Sequence, residues 1–223
     1  NPHRFHDANR TYNAQQLAEA LVGDPRYKPV EVRWRPSQDG EWLWKGDTSS
    51  DEITGHFYGY LHYYTFVAQT EDDKEEVRDL CRRVMDYIID GGYVLRDIDG
   101  KHTRWGVWAP ERLLHDKNWQ AERPVNAVEI LSYLKTTYHL TDDEKYEREY
   151  RRLIDEFGYA EIARSPKPTN PSERTHIDSE LLALTLPGLF MCEDAPELLA
   201  KYNQGSRQWF GTVRHEYSPY YNF

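Results

Sequence analysis

The sequence predicts a mainly α fold of repeated helical hairpins, an (α/α) toroid-like or partial toroid array, with one short β-hairpin near 93–108. Three observations carry this reading. Val77, Leu80, Cys81, Val84 and Ile88 recur at helical spacing within residues 72–90, and Gly91-Gly92 follows as a helix stop. Residues 50–93 and 125–159 echo one another: an apolar, aromatic helix, an acidic turn (TEDD, then TDDE), a charged amphipathic helix, a glycine and a tyrosine. Between the echoes, residues 93–100 alternate like a strand and end in Asp99-Gly100, a hairpin-turn signal with residues 101–108 as the return arm. The apolar first helix of each pair belongs inside and the charged second helix outside, the pattern of an α/α toroid or an α-solenoid.

The elements follow in order. Residues 9–22 form a first helix with Leu17, Ala20 and Leu21 on one face, and residues 25–46, rich in Pro, Trp and Gly, read as extended loop. Helices follow over 50–69 and 72–90. After the β-hairpin, residues 125–139 form an amphipathic helix with Val128, Leu131 and Leu134 in sequence around it. Thr141 and Glu144 form a T-x-x-E capping box for a helix over 142–157, which Gly158 closes. Residues 164–174 are a loop with three Pro. Residues 176–190 form an apolar helix that Pro187 ends early or kinks. Residues 195–213 form the last helix, and 215–223 an aromatic, irregular tail.

The chain of 223 residues has a mean hydropathy of −0.89 and a formal net charge of −10. No basic stripe offsets that charge, which argues against a nucleic-acid partner. No apolar run approaches a membrane span, and no charged-then-apolar leader is visible at Asn1. The expectation is one helical-hairpin domain over 1–223, standing alone, as part of a longer protein, or completed as a homo-oligomer. Cys81 and Cys192 are expected to be two buried free thiols rather than a disulfide, and no metal or other cofactor is indicated. The 17 Tyr and 7 Trp suit either an aromatic core or a ligand that is half apolar and half hydroxylated.

Residues 42–64, WLWKGDTSSDEITGHFYGYLHYY, hold the densest chemistry. Asp47, Asp51 and Glu52 fall within six positions, and crowded carboxylates raise one another's pKa as a general acid requires. Trp44 and Tyr63 offer flat faces for a sugar. Ser49 and Glu52 also match a capping box, and Asp47 or Asp51 can equally cap a helix. His56, four residues after Glu52, either orients that carboxylate or belongs to the core. In the return arm, Arg104 stands beside Trp105 and near Trp108: it either grips a uronate carboxylate while a tryptophan stacks on a pyranose, or braces the hairpin by cation–π contact. Asn126 and Glu129 lie one turn apart at the start of an inner helix. A carboxylate there must be paired, with Arg104 or Arg123 for example, or protonated. His176 and Asp178 open another inner helix, so the starts carrying Asp51/Glu52, Asn126/Glu129 and His176/Asp178 are expected to line one pocket.

The strings WKGDTSSDEITGHFYGY, KHTRWGVWAPERL and NAVEILSYLKTTYHLTDDEKYEREYRRLI resemble bacterial (α/α) toroid proteins of the six-hairpin glycosidase class, over about 44–190. That resemblance implies a carbohydrate-active protein with a groove at one end of the toroid. A complete six-hairpin ring needs a considerably longer chain, which leaves a shortened toroid, one domain of a larger protein, or an array completed by a second copy.

Two function classes follow. One is a glycoside-processing enzyme: a hydrolase with Asp51 and Glu129 as the carboxyl pair and Glu52 as a third catalytic candidate, or a lyase using His56 or Tyr63 as base with Arg104 and Asn126 neutralising a uronate. The other is a non-catalytic helical-repeat module that binds glycan or protein.

Overall fold

The computed structural model describes residues 34–167 and 175–218, together with Ala18, Glu19, Val22 and Tyr221. The helix expected over 9–22 lies mostly outside the described residues; Ala18, Glu19 and Val22 are helical. The loop expected over 164–174 is described only as far as Lys167, and four residues of the tail also lie outside. The chain divides into two compact units, residues 1–50 with 94–107 and residues 51–93 with 108–223.

The smaller unit contains two antiparallel strand pairs, where the sequence pointed to one. β1 (Trp34–Pro36) pairs with β2 (Leu43–Lys45), Arg35 opposite Trp44. This corrects the reading of 25–46 as loop, of which 25–33 lies outside the described residues. The reversal is set locally: Ser37 N donates to Trp42 O at 2.8 Å, and Gly40 takes φ +74°, a conformation glycine adopts freely. Pro36 costs nothing here because a two-stranded ribbon has only edges. β3 (Val94–Arg96) and β4 (His102–Val107) form the expected hairpin, Val94 opposite Val107.

The larger unit contains eight helices among the described residues: α1 (Ser50–Phe66), α2 (Glu71–Asp90), α3 (Pro110–His115), α4 (Arg123–Thr141), α5 (Glu144–Asp155), α6 (Tyr159–Ile162), α7 (His176–Cys192) and α8 (Pro196–Val213). α2 starts at a full capping box, Thr70 and Asp73 each bonding the other's backbone N–H. The expected box of Thr141 and Glu144 is corrected: Thr141 is still in α4, where its Oγ1 donates to Thr137 O. Asp143 caps α5 by accepting from Lys145 N, while Asp142 turns the chain at φ +56°.

Side-chain pairs give the helix directions. Arg78 Nε donates to Leu140 O and Cys81 contacts Thr137, so α2 runs antiparallel to α4. Thr54 meets Glu129 and Phe57 stacks on Tyr133 at 4.6 Å, so α1 runs parallel to α4. Ser132 Oγ donates to Thr185 O at 2.7 Å, and Gly188 faces Ser132 and Thr136, which makes α7 parallel to α4 as well. The unit is therefore three successive hairpins, α1/α2, α4/α5 and α7/α8, with parallel first helices. A closed ring is not shown.

α4 corrects the expectation of an amphipathic helix: nearly every residue from Pro124 to Leu140 is buried. Neighbouring helices cover it on all sides, and each must answer the polar groups it carries. Pro187 does not end α7, which continues to Cys192; packing of Leu186, Leu189 and Cys192, all buried, holds the turn after it. Both cysteines are free and buried, and burial pushes each thiol up to about 12.

Lys135 of α4 ties three elements together. Its Nζ lies 2.9 Å from Glu147 of α5 and 3.6 Å from Glu193, beyond the end of α7, with the Tyr150 ring 5.0 Å away. Burial alone raises the Glu193 carboxyl, but bonds from Tyr150 Oη and Ala195 N and the Lys135 charge outweigh it, and the net shift is downward. Removing one member of a buried ion network strands the others. Lys135→Ala is expected to destabilise by about 3–5 kcal/mol in urea unfolding. Gly188 is a contact position: a Cβ there would sit 2.3 Å from Ser132 Oγ. Gly188→Ala is expected to cost about 1–3 kcal/mol, partly recovered by adding Ser132→Ala, which denaturation of the two variants would measure.

Candidate functional site

Glu129 is the best-defined chemical group in the larger unit. Its side chain has no exposed surface. Trp108 Nε1 donates to Oε2 at 2.7 Å, and Thr54 Oγ1 lies 3.4 Å from Oε1. Thr54 Oγ1 is also 2.5 Å from Tyr133 Oη, so carboxyl, threonine and tyrosine form one chain of hydroxyl contacts. Trp108 is held in turn: its ring packs edge-on to Tyr133 at 5.6 Å, and its carbonyl accepts from Tyr159 Oη at 2.8 Å.

Burial pushes the Glu129 carboxyl up to about 8. Bonds from Trp108 and Thr54 oppose the shift, and the negative charge of Asp178 adds to it. At neutral pH the group is therefore a carboxylic acid with one O–H to donate. Oε2 already faces an N–H, so the proton belongs on Oε1 and donates to Thr54, which then donates toward Tyr133. Ionisation reverses this chain: Tyr133 donates to Thr54, and Thr54 to Glu129. Burial and the nearby charges of Glu129 and Asp51 keep the Tyr133 phenol well above its ordinary range.

Thr54 and Tyr133 both line a narrow crevice between α1 and α7, floored by α4 and too tight to hold a water molecule; Ser132, Tyr58, Leu184 and Gly188 are also in its lining. Glu129 lies behind this wall, with the two hydroxyls between it and the crevice.

The remaining sequence candidates in this unit take varied positions. Asp51 and Glu52 are exposed in the first turn of α1. His56 is exposed and stacks on Tyr60 at 5.7 Å. Tyr63 is exposed, and neither it nor His56 is in the crevice lining. Trp108, expected as a stacking surface, is fully buried and presents no face to a ligand. Asn126 is buried one turn before Glu129. Asp178 is ion-paired with Lys167, whose side chain is almost wholly buried. His176 is exposed, within 3.5 Å of both Glu180 and Glu216.

Four candidates belong to the smaller unit. Asp47 has φ +54°; its Oδ1 accepts from Arg104 N at 2.9 Å, and its Oδ2 lies 3.8 Å from the Arg104 guanidinium. Asp47 and Arg104 thus fasten the loop before α1 to β4. Trp44 is partly exposed, its Nε1 donating to Pro36 O at 3.2 Å, with Arg35 over its ring at 5.6 Å. Trp105 is half-buried.

Thr54, Tyr133 and Lys167 were not found from sequence. Tyr133 alone left a signal, because it follows Glu129 by four residues and so shares its helix face. Among the described residues, no group of three His, Cys, Asp or Glu side chains is placed to hold a metal ion, and no helix is long and apolar enough to cross a membrane. Compared with protein-family models, curated proteins and solved structures, the chain gives no match.

The raised Glu129 carboxyl has a stability consequence. The unfolded group titrates near 4.5 and the folded one near 8. Between these values the folded state holds a proton that the unfolded state has lost. Stability from this group is therefore complete below 4.5 and falls as pH rises toward 8, by at most about 1.4 kcal/mol per pH unit. Urea unfolding from pH 5 to 8.5 is expected to show this decline, and Glu129→Gln to flatten it and exceed the wild type in stability at the alkaline end.

Proposed function

We propose that this chain is a carbohydrate-active protein, a glycoside hydrolase in which Glu129 is the general acid, and that its three hairpins are a segment of an (α/α) toroid. The observation that carries the reading is a carboxyl group kept neutral near pH 7 and joined by the Thr54 and Tyr133 hydroxyls to a narrow crevice between α1 and α7. A glycosidase needs one carboxyl that still carries its proton at working pH and a second that is ionised. Glu129 fills the first role. Asp51, three residues before Thr54 on α1, fills the second as base or nucleophile, and Glu52 beside it is the reserve candidate. Asp178, fixed by Lys167, supports the acid by keeping negative charge near Glu129. Substrate approach requires the wall at Thr54 to open, since Glu129 is wholly enclosed.

A second reading draws on that same enclosure. Both Glu129 oxygens are engaged, while Asp51 and Glu52 face solvent. A module that binds glycan or protein without turning it over needs no more than this.

Turnover separates the two readings. The chain is incubated with neutral and uronate-containing polysaccharides, and both reducing-end release and an unsaturated product are followed. The hydrolase reading expects release that falls by at least about 100-fold in Glu129→Gln and in Asp51→Asn. An unsaturated product moves the chemistry to elimination, and no turnover of any substrate leaves the binding module.

A further inference from the structure

Trp108 and Thr54 meet the Glu129 carboxyl from outside α4, and they are held very differently. Trp108 is fully buried. Its backbone N–H donates to Tyr93 O at 2.8 Å, and its carbonyl accepts from Tyr159 Oη at 2.8 Å. Thr54 belongs to α1, which is attached along one narrow stripe: of residues 51–66, only Ile53, Thr54, Phe57 and Leu61 are buried. The helix also lacks local support. From Ile53 to Phe66 it carries no Asp, Glu, Lys or Arg, so no ion pair spans its turns. Gly55 and Gly59 interrupt its interior where a Cβ would meet nothing within 4 Å. Neither glycine serves a close approach, and each makes the helix less stable than alanine would. The far end of α1 is fastened, because Arg78 donates both to Tyr64 Oη at 2.8 Å and to Leu140 O at 3.0 Å. A thin buried stripe and interior glycines place the remainder at the low end of local stability.

Opening of α1 and ionisation of Glu129 are linked. When α1 lifts, the carboxyl loses its Thr54 cover and meets water. An enclosed carboxyl favours its neutral form, and a hydrated one is ionised at neutral pH. With α1 closed, burial pushes the group up to about 8, against an ordinary value of 4.5. Above 4.5 the opened form has therefore lost a proton that the closed form keeps, so the opened fraction grows with pH and levels off near 8. The surrounding groups act in the same direction. Asp178 of α7, paired with Lys167, and Glu122, just before α4, bring negative charge that opposes ionisation of the enclosed group. Tyr133, on which Asp51 of α1 also acts, keeps its proton throughout this range. Trp108, from the segment before α3, donates to the carboxyl in either state.

We infer that α1 is a proton-controlled flap: it opens locally, ahead of the rest of its unit, and loss of the Glu129 proton drives the opening. The enclosed carboxyl is the sensor, and α1 is the part that unwinds. The inference concerns the enclosure of Glu129 and stands whether or not that acid turns over a glycan. For the hydrolase reading it adds one requirement. Substrate must exclude water from the opened site, or Glu129 gives up the proton it has to donate.

The test is amide hydrogen exchange of the full chain between about pH 5.5 and 7.5, inside the window set by the two Glu129 values. Each rate is divided by its intrinsic rate to give an opening constant. Amides in the middle of α1 report the flap, and those in the middle of α4 report the unit as a whole. The expected result is an α1 opening constant at least about tenfold above that of α4, rising by about tenfold per pH unit. Glu129→Gln, which cannot ionise, is expected to abolish the rise. Gly59→Ala, at an exposed position, is expected to lower the constant by about two- to fivefold and leave its pH dependence intact. Equal constants in α1 and α4 would overturn the inference, because the unit would then open only as a whole. So would an α1 constant that does not change with pH, a rise that persists in Glu129→Gln, or no effect of Gly59→Ala. No substrate enters the measurement, which keeps it apart from the hydrolase reading. Glu129-dependent sugar release beside a pH-independent α1 removes the flap alone, and a Glu129-dependent rise without any turnover removes the hydrolase alone.

Discussion

The larger unit depends on burying one helix that is not apolar. α4 carries Asn126, Glu129, Ser132, Lys135, Thr136 and Thr137 into an environment from which water is excluded. A polar group left unanswered there costs several kcal/mol. Each neighbouring element supplies part of the answer: α1 brings Thr54 to Glu129, α2 brings Cys81 to Thr137, α5 brings Glu147 to Lys135, and α7 offers its Thr185 carbonyl to Ser132. Apolar packing drives the helices together, but these pairs determine which helix lies against which side of α4, and at what height.

The same constraint produces the site. Lys135 and Glu129 are both buried on α4 and meet opposite fates. Lys135 has two carboxylates and an aromatic face around its Nζ. Glu129 is met by an indole N–H and a hydroxyl. Two neutral donors do not offset the loss of hydration, and protonation is the cheaper state. The helix thus holds an acid that keeps its proton at neutral pH, with Thr54 and Tyr133 between it and the crevice beside α7. Such a group is a general acid if substrate reaches those hydroxyls, and a hydrogen-bonded core residue if nothing does.

How much of this was legible in the sequence follows from how local each determinant is. α2 and α5 were readable because exposed charge and buried apolar residues alternate with the helical period, and Gly92 and Gly158 stop or turn the chain at positive φ. The repeat of the first two hairpins was visible in their Thr-led acidic turns; the third, α7/α8, turns at Glu193-Asp194-Ala195 without that string and was not recognised as a member. α4 was placed inside, yet it was read as amphipathic; it is buried nearly all round, because tertiary partners answer its polar residues. Pro187 failed to break α7 because buried neighbours hold the following turn. β1 and β2 escaped notice because three-residue strands carry almost no periodicity. Glu129 was singled out correctly as a buried inner-helix carboxylate, but its partners Trp108 and Thr54 are 21 and 75 positions away, and no local pattern encodes such pairing.

The central claim is that Glu129 is a neutral acid at pH 7. Carboxyl-¹³C NMR of glutamate-labelled protein, titrated from pH 4 to 9 and assigned by the resonance missing in Glu129→Gln, reads that charge state directly. The account predicts one glutamate resonance that stays in its protonated position at neutral pH and moves only near 8. A Glu129 resonance that has already titrated in the ordinary range below pH 5 would contradict it.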